Sequence, residues 1–184
     1  MKKKLLFLSI ASIIGLSGCG DNKSHDNHTN NDHEEMNHSN MNHSSSGEIP
    51  EGLKEAKNPT YGIGSKAIMH TDHMDGMSGA EALIVGAFDT TVYAISYTPI
   101  NGGERVTNHK WVIHEEIKNA GVQPFEIGEE VTLLADHMNG MTGATATIES
   151  AEQTTVYMVD YMPTTGGEKV TNRKWVTENE LSIR

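Results

Sequence analysis

Residues 64–117 and 128–181 align without a gap at a constant offset, and about half of the aligned positions are identical. This duplication constrains the fold more than any other feature. The period is too long for the common solenoid units, and two copies are too few for an array. Each copy therefore reads as a small domain, with Lys118–Pro124 as the connector.

Inside each copy the dominant period is two. Thr91, Tyr93, Ile95 and Tyr97 alternate with Val92, Ala94 and Ser96, and Tyr157, Val159 and Tyr161 alternate with Val156, Met158 and Asp160. That pattern predicts a strand with its Tyr/Ile/Val face buried. Ala82, Ile84 and Gly86, and Ala146 with Ile148, mark the strand before it, so Thr90-Thr91 and Thr154-Thr155 are expected as turns. First strands fall near Ser65–Met69 and Val131–Leu134. "TPINGGE" and "MPTTGGE" are Pro/Gly turn signals, "VTNHKWV" and "VTNRKWV" read as further strands, and "HEEI" and "ENEL" as short closing helical turns. Trp111, Trp175, Tyr93, Tyr97, Tyr157 and Tyr161 are expected as core anchors. The expectation is all-β: two tandem small SH3-like barrels of about five strands each. Units this short are marginally stable alone, which favours contact between them.

The N-terminus has different chemistry. Lys2, Lys3 and Lys4 precede a short apolar run ending in Leu16-Ser17-Gly18-Cys19. The run is too short to span a bilayer and reads as a secretory signal. Small residues before the single cysteine fit a lipoprotein cleavage box, with Cys19 acylated. The expected localisation is the extracytoplasmic face of a cell membrane, held by lipid without a span. Residues 20–50 are low in complexity and almost free of aliphatic side chains, which predicts a disordered tail with a typical end-to-end distance of about 30 Å. The expected layout is 1–18 signal, 19–50 tail, 51–119 first repeat and 120–184 second repeat. The formal charge of −11 becomes −14 once the three signal lysines are gone, which argues against nucleic acid as a partner.

Two segments concentrate soft donors. "DHMDGMSGA" carries His73, Met74 and Met77, and "DHMNGMTGA" carries His137, Met138 and Met141. Met69 and His70 add to the first. The tail holds His25, His28, His33, Met36, His38, Met41 and His43. Imidazole and thioether together suit Cu(I) better than hard cations, and an exported site without thiols depends on such donors. Asp72 or Asp136 could orient the adjacent histidine. The competing reading is structural: methionines in a long loop fill gaps over a core. A methionine in a polar tail has no core to fill, which weighs toward metal there. His109 and His114 correspond to Arg173 and Glu178, so chemistry common to both copies does not need them. His114 lacks the second histidine of a helical zinc motif, and there is no nucleophile elbow or phosphate loop. The chain is not expected to be an enzyme.

The pattern DHMxGMxGA…TTVYxxxY…GGExVTNxKWV, twice over behind a lipoprotein signal and a His/Met-rich spacer, resembles the YdhK-like tandem-repeat lipoproteins of Gram-positive bacteria, a group that includes the copper-resistance lipoprotein CopL. The resemblance implies copper binding outside the cell and protection from copper stress. It implies His73, Met74, Met77 and their counterparts as ligands; if Met69 and His70 also ligate, the first copy is the stronger site, because Leu133 and Leu134 replace them in the second. The lipid bilayer is one expected partner, and the cell wall or a copper-export protein another. Two alternatives stand beside this: a cell-wall or peptide-binding module with the tail as spacer, and a zinc or nickel scavenger.

Overall fold

The computed structural model describes residues 44–183. Its strands are β1 (Lys54–Glu55), β2 (Lys66–Met69), β3 (Glu81–Tyr97), β4 (Val106–Ile113), β5 (Glu130–Thr132), β6 (Thr145–Tyr161), β7 (Val170–Thr177) and β8 (Leu181–Ser182). One-turn 3₁₀ helices at His114–Glu116 and Glu178–Glu180 follow β4 and β7, where the closing turns were expected. The described residues contain no α-helix, so the all-β expectation holds.

Strands β3 and β6 organise everything else. Each runs 17 residues, about three times the usual length, or roughly 56 Å at strand rise. They pair antiparallel from Ala82↔Tyr161 to Tyr97↔Ala146. The turns expected at Thr90-Thr91 and Thr154-Thr155 do not form. Threonine is β-branched and favours extended backbone, and neither pair is flanked by the glycine or proline a reversal needs. Thr90 instead pairs with Thr154, its own counterpart in the other copy. A local two-fold axis therefore passes between them. The register shifts at Val85 and Glu149, which are also counterparts, make a bulge on each side of it.

The two copies consequently do not close as separate barrels. One eight-stranded sheet contains strands from both. Strand β8, at the end of the second copy, pairs with β2 at the start of the first, and the bridge Ile117↔Leu133 repeats the crossing in the opposite sense. Each core is pooled. One joins Met69, Met77, Ala82 and Ile84 of the first copy to Tyr157, Val159, Tyr161 and Val176 of the second. The other joins Tyr93, Ile95, Tyr97 and Val112 to Leu133, Met141, Ala146 and Ile148. A third cluster, on the other face of the central strands, contains Phe88, Val92, Trp111, Val156, Met158 and Trp175. A strand in this position is covered on both faces, so Val92 and Ala94 are buried along with the Tyr/Ile face expected from periodicity. All four tyrosines and both tryptophans expected in the core are there.

Candidate functional site

The repeated loops are built by their glycines. Gly76, Gly79, Gly140 and Gly143 have φ between 78° and 84°, a left-handed conformation that side chains resist. The tight path is held by Met77 N–H donating to Met74 O (3.2 Å) and Gly79 N–H donating to Met69 O (2.9 Å), with the same pair of bonds in the second copy. Each loop is clasped by the Pro/Gly turn of the other copy. Thr164 N–H donates to Gly76 O, and Ile100 N–H donates to Gly140 O, both at 3.0 Å. A Cβ on Gly76 would lie 2.7 Å from Thr165 Oγ1 and 2.8 Å from Pro163 Cβ, so the close approach itself requires glycine.

Once bent, each loop buries its second methionine in a core and turns its histidine toward a glutamate of the other copy. Met77 and Met141 are fully buried in the pooled apolar cores. They pack as gap-fillers, and their assignment as metal ligands is corrected. Met69 is corrected likewise: it is fully buried in the place that Leu133 takes in the other core. His70 lies apart on the surface, with Nε2 2.6 Å from Ser182 Oγ. His25, His28, His33, Met36, His38, Met41, His43 and Cys19 lie outside the described residues.

His73 and His137 turn the other way, His73 onto the half-buried Glu180 and His137 onto the buried Glu116. His73 Nε2 is 2.7 Å from Glu180 Oε1, and His137 Nε2 is 2.9 Å from Glu116 Oε1. The second oxygen of each carboxylate accepts from a tryptophan: Trp111 Nε1–H to Glu180 (3.0 Å) and Trp175 Nε1–H to Glu116 (3.1 Å). Backbone N–H groups of Thr177 and Ile113 donate to the same two oxygens. Histidine and tryptophan come from one copy and glutamate from the other, so neither copy assembles the trio alone. The side chains of His73 and His137 are 7% and 5% exposed. Burial opposes ionisation of Glu180, but the His73 hydrogen bond and charge, with the Thr177 and Trp111 donors, outweigh it and hold the carboxyl at about 2. The orienting carboxylate is therefore supplied by the opposite copy, and neither Asp72 nor Asp136 makes that contact.

The local two-fold axis brings both loops to one cavity of about 380 Å³. Asp72, His73 and Met74 line it from one loop, His137 and Met138 from the other, with His109 and Arg173 from β4 and β7. His109 stands 6.0 Å from His137, ring centre to ring centre, and edge-on to Tyr97 at 6.1 Å. Burial, followed by the neighbouring His137, Arg173 and His73, pushes its imidazole down to about 3, so it is neutral. Its Nε2 is buried without a hydrogen-bond partner, and so is Nδ1 of His73. His73 presents Nε2 to the Glu180 carboxylate and leaves Nδ1 without a hydrogen-bond partner.

These donors fit a soft ion in kind. His73, His109, His137, Met74 and Met138 all line this cavity, two of the ring nitrogens are buried without a partner, and the carboxylate–histidine arrangement is the one that orients metal-bound imidazoles. As the side chains stand, no three His, Cys, Asp or Glu groups among the described residues converge closely enough to hold an ion. Ligation there would need thioether sulfur or a turn of the rings.

Glu116 and Glu180 are missing from the candidates drawn from sequence, and His109 and Arg173 stand there only as a position at which the copies differ. A signal did exist for the glutamates. In "HEEI" and "ENEL" the acid at the third position is the only residue the two turns share, which marks it as doing something in both copies.

Comparison with known proteins matches this framework. Residues 63–114 and 127–178 each match the family model described as protein of unknown function (DUF1541). The chain belongs to the DUF1541 family. It is 55% identical over its whole length to the uncharacterized protein YdhK of Bacillus subtilis (strain 168), covering 90% of that relative. A crystal structure of YdhK from the same organism superposes with a TM-score of 0.77 at 62% identity, over 80% of this chain and all of that one. A solution NMR structure of the YdhK C-terminal domain superposes with a TM-score of 0.64 at 63% identity, over 67% of this chain and 93% of that one. The two matched segments are the two copies joined here through β3 and β6.

Proposed function

We propose that this DUF1541 protein is a membrane-anchored, extracytoplasmic copper-binding lipoprotein, not an enzyme, that sequesters Cu(I) and Cu(II) and contributes to copper resistance. The observation that carries the reading is the convergence of both repeated loops on one cavity. There His73, His109 and His137 stand with the thioethers of Met74 and Met138, and two ring nitrogens have no partner. Cu(I) favours such neutral, soft donors. Glu180 and Glu116 would hold the loop histidines in orientation and raise their basicity.

The tail adds capacity. Its five histidines and two methionines have no apolar surroundings in sequence that would explain them as packing, and acylation of Cys19 would keep the whole assembly at the membrane. Copper is then held before it re-enters the cell or attacks the envelope, for storage or for passage to an export partner.

Competition against a Cu(I) chelator tests this on the full chain. The double variant Met74→Leu, Met138→Leu keeps side-chain volume and removes both sulfurs, and is expected to weaken the tightest Cu(I) site at least tenfold. His73→Ala and His137→Ala should weaken it further. Unchanged constants in all of them would make the cavity structural. A metal count with and without residues 20–50 then separates the tail's share from that of the folded part. A preference of the tail for Zn(II) over Cu(I) would overturn the choice of metal.

A further inference from the structure

Arg173 faces the same cavity and is not accounted for by a soft cation. Its side chain is buried, with 7% of the residue exposed, and its Nε has no acceptor. Among the described residues it makes no ion pair: the four that form use other cations. Glu116 and Glu180, the glutamates of the two trios, are engaged by histidine, tryptophan and backbone N–H groups instead. Asp72 lines the cavity but is exposed and is not paired with Arg173. A guanidinium keeps its proton, and one held largely out of water without a carboxylate partner carries a desolvation cost. In the first copy the same position is His109, which also lines the cavity. The second copy has placed a permanent cation there, and Lys110 also lines the space.

Met74, Met138 and Val106 give the wall an apolar stretch beside the polar Thr107 and Asn108, and about 380 Å³ is the size of a small-molecule site. We propose that this cavity binds a small organic carboxylate, its anionic end against Arg173 and its apolar body against Met74, Met138 and Val106. Guanidinium matches a carboxylate through paired hydrogen bonds, and the thioether walls favour an organic acid over an inorganic oxyanion.

The test uses the full chain with metal removed by a chelator. Benzoate, acetate and inorganic phosphate are titrated at matched ionic strength, following the thermal midpoint and the Nε–H resonance of Arg173. Benzoate should shift both saturably, acetate more weakly and phosphate least. Arg173→Leu should abolish the saturable response. Without any anion its midpoint should equal or exceed the wild-type value, because it removes an unpaired buried charge. No saturable response to either carboxylate, an equal response in Arg173→Leu, a midpoint well below wild type for that variant, or tighter binding of phosphate would each overturn the proposal. The assay contains no copper, so its failure and failure of the Cu(I) competition are separate results.

Discussion

Exchange of Glu180 for glutamine should cost stability at neutral pH and almost nothing in strong acid. The carboxyl sits at about 2 in the folded chain, against an ordinary value of 4.5. That depression corresponds to ~3 kcal/mol of extra stabilisation of the ionised form. The Glu180 side chain keeps 16% of its surface in solvent, and screening reduces the figure to about 2 kcal/mol. The sign follows from linkage. A carboxyl depressed on folding stabilises the protein above its unfolded pKa, and that contribution is lost as pH falls through the folded one. Glutamine keeps the shape and one acceptor but carries no charge for His73 or the two N–H donors. The gap between wild type and Glu180→Gln should therefore be about 2 kcal/mol at pH 7, shrink below about pH 4.5 and close near pH 2. Urea unfolding of both proteins across that range measures it, and the difference cancels the other carboxylates. A gap that stays constant from pH 7 to pH 3, or no gap at all, refutes the reasoning.

Other outcomes follow from the packing. Met77→Leu should change stability by less than about 1.5 kcal/mol and leave Cu(I) affinity untouched, whereas Met77→Ala should cost about 2–5 kcal/mol, as read by denaturant midpoints and chelator competition. Gly140→Ala should cost about 1–2 kcal/mol or more, because φ is 78° and the new Cβ would collide with the Asn101 side chain (Cγ at 2.7 Å) and meet Pro99 Cβ at 3.0 Å; thermal unfolding reports it. Residues 120–184 expressed alone lack half of both cores. They should be unfolded as a monomer and fold only by self-pairing of β6 about Thr154, which light scattering and circular dichroism would detect. Arg173→Leu takes a cation out of the cavity wall and should strengthen Cu(I) binding roughly tenfold, or ~1.4 kcal/mol, in the same competition assay.

Much of the local structure was legible without coordinates. Alternation through Tyr93, Ile95 and Tyr97 marked a strand, "HEEI" and "ENEL" marked closing turns, and the tryptophans marked core, because face periodicity and backbone preference are carried by neighbouring residues. The candidate site was half legible. His73, Met74, His137 and Met138 could be singled out by type, but nothing local separates Met74, which lines a cavity, from Met77, which fills a core three residues later. That separation depends on where the loop is clasped, and the clasp comes from Pro163 and Thr164 of the other copy.

By itself the sequence determined that the chain is β, that it is built twice from one plan, and that soft donors recur in its bends. Only the tertiary structure decided that the two plans interlock through β3 and β6, that each histidine takes its glutamate from the opposite copy, and that the donors of both copies, with Arg173, surround one space. The reason is physical. Strand and turn preferences act over a few residues, whereas the pairing of Thr90 with Thr154 joins positions far apart in the chain, and that choice is settled by the apolar surface each half leaves uncovered until the other arrives.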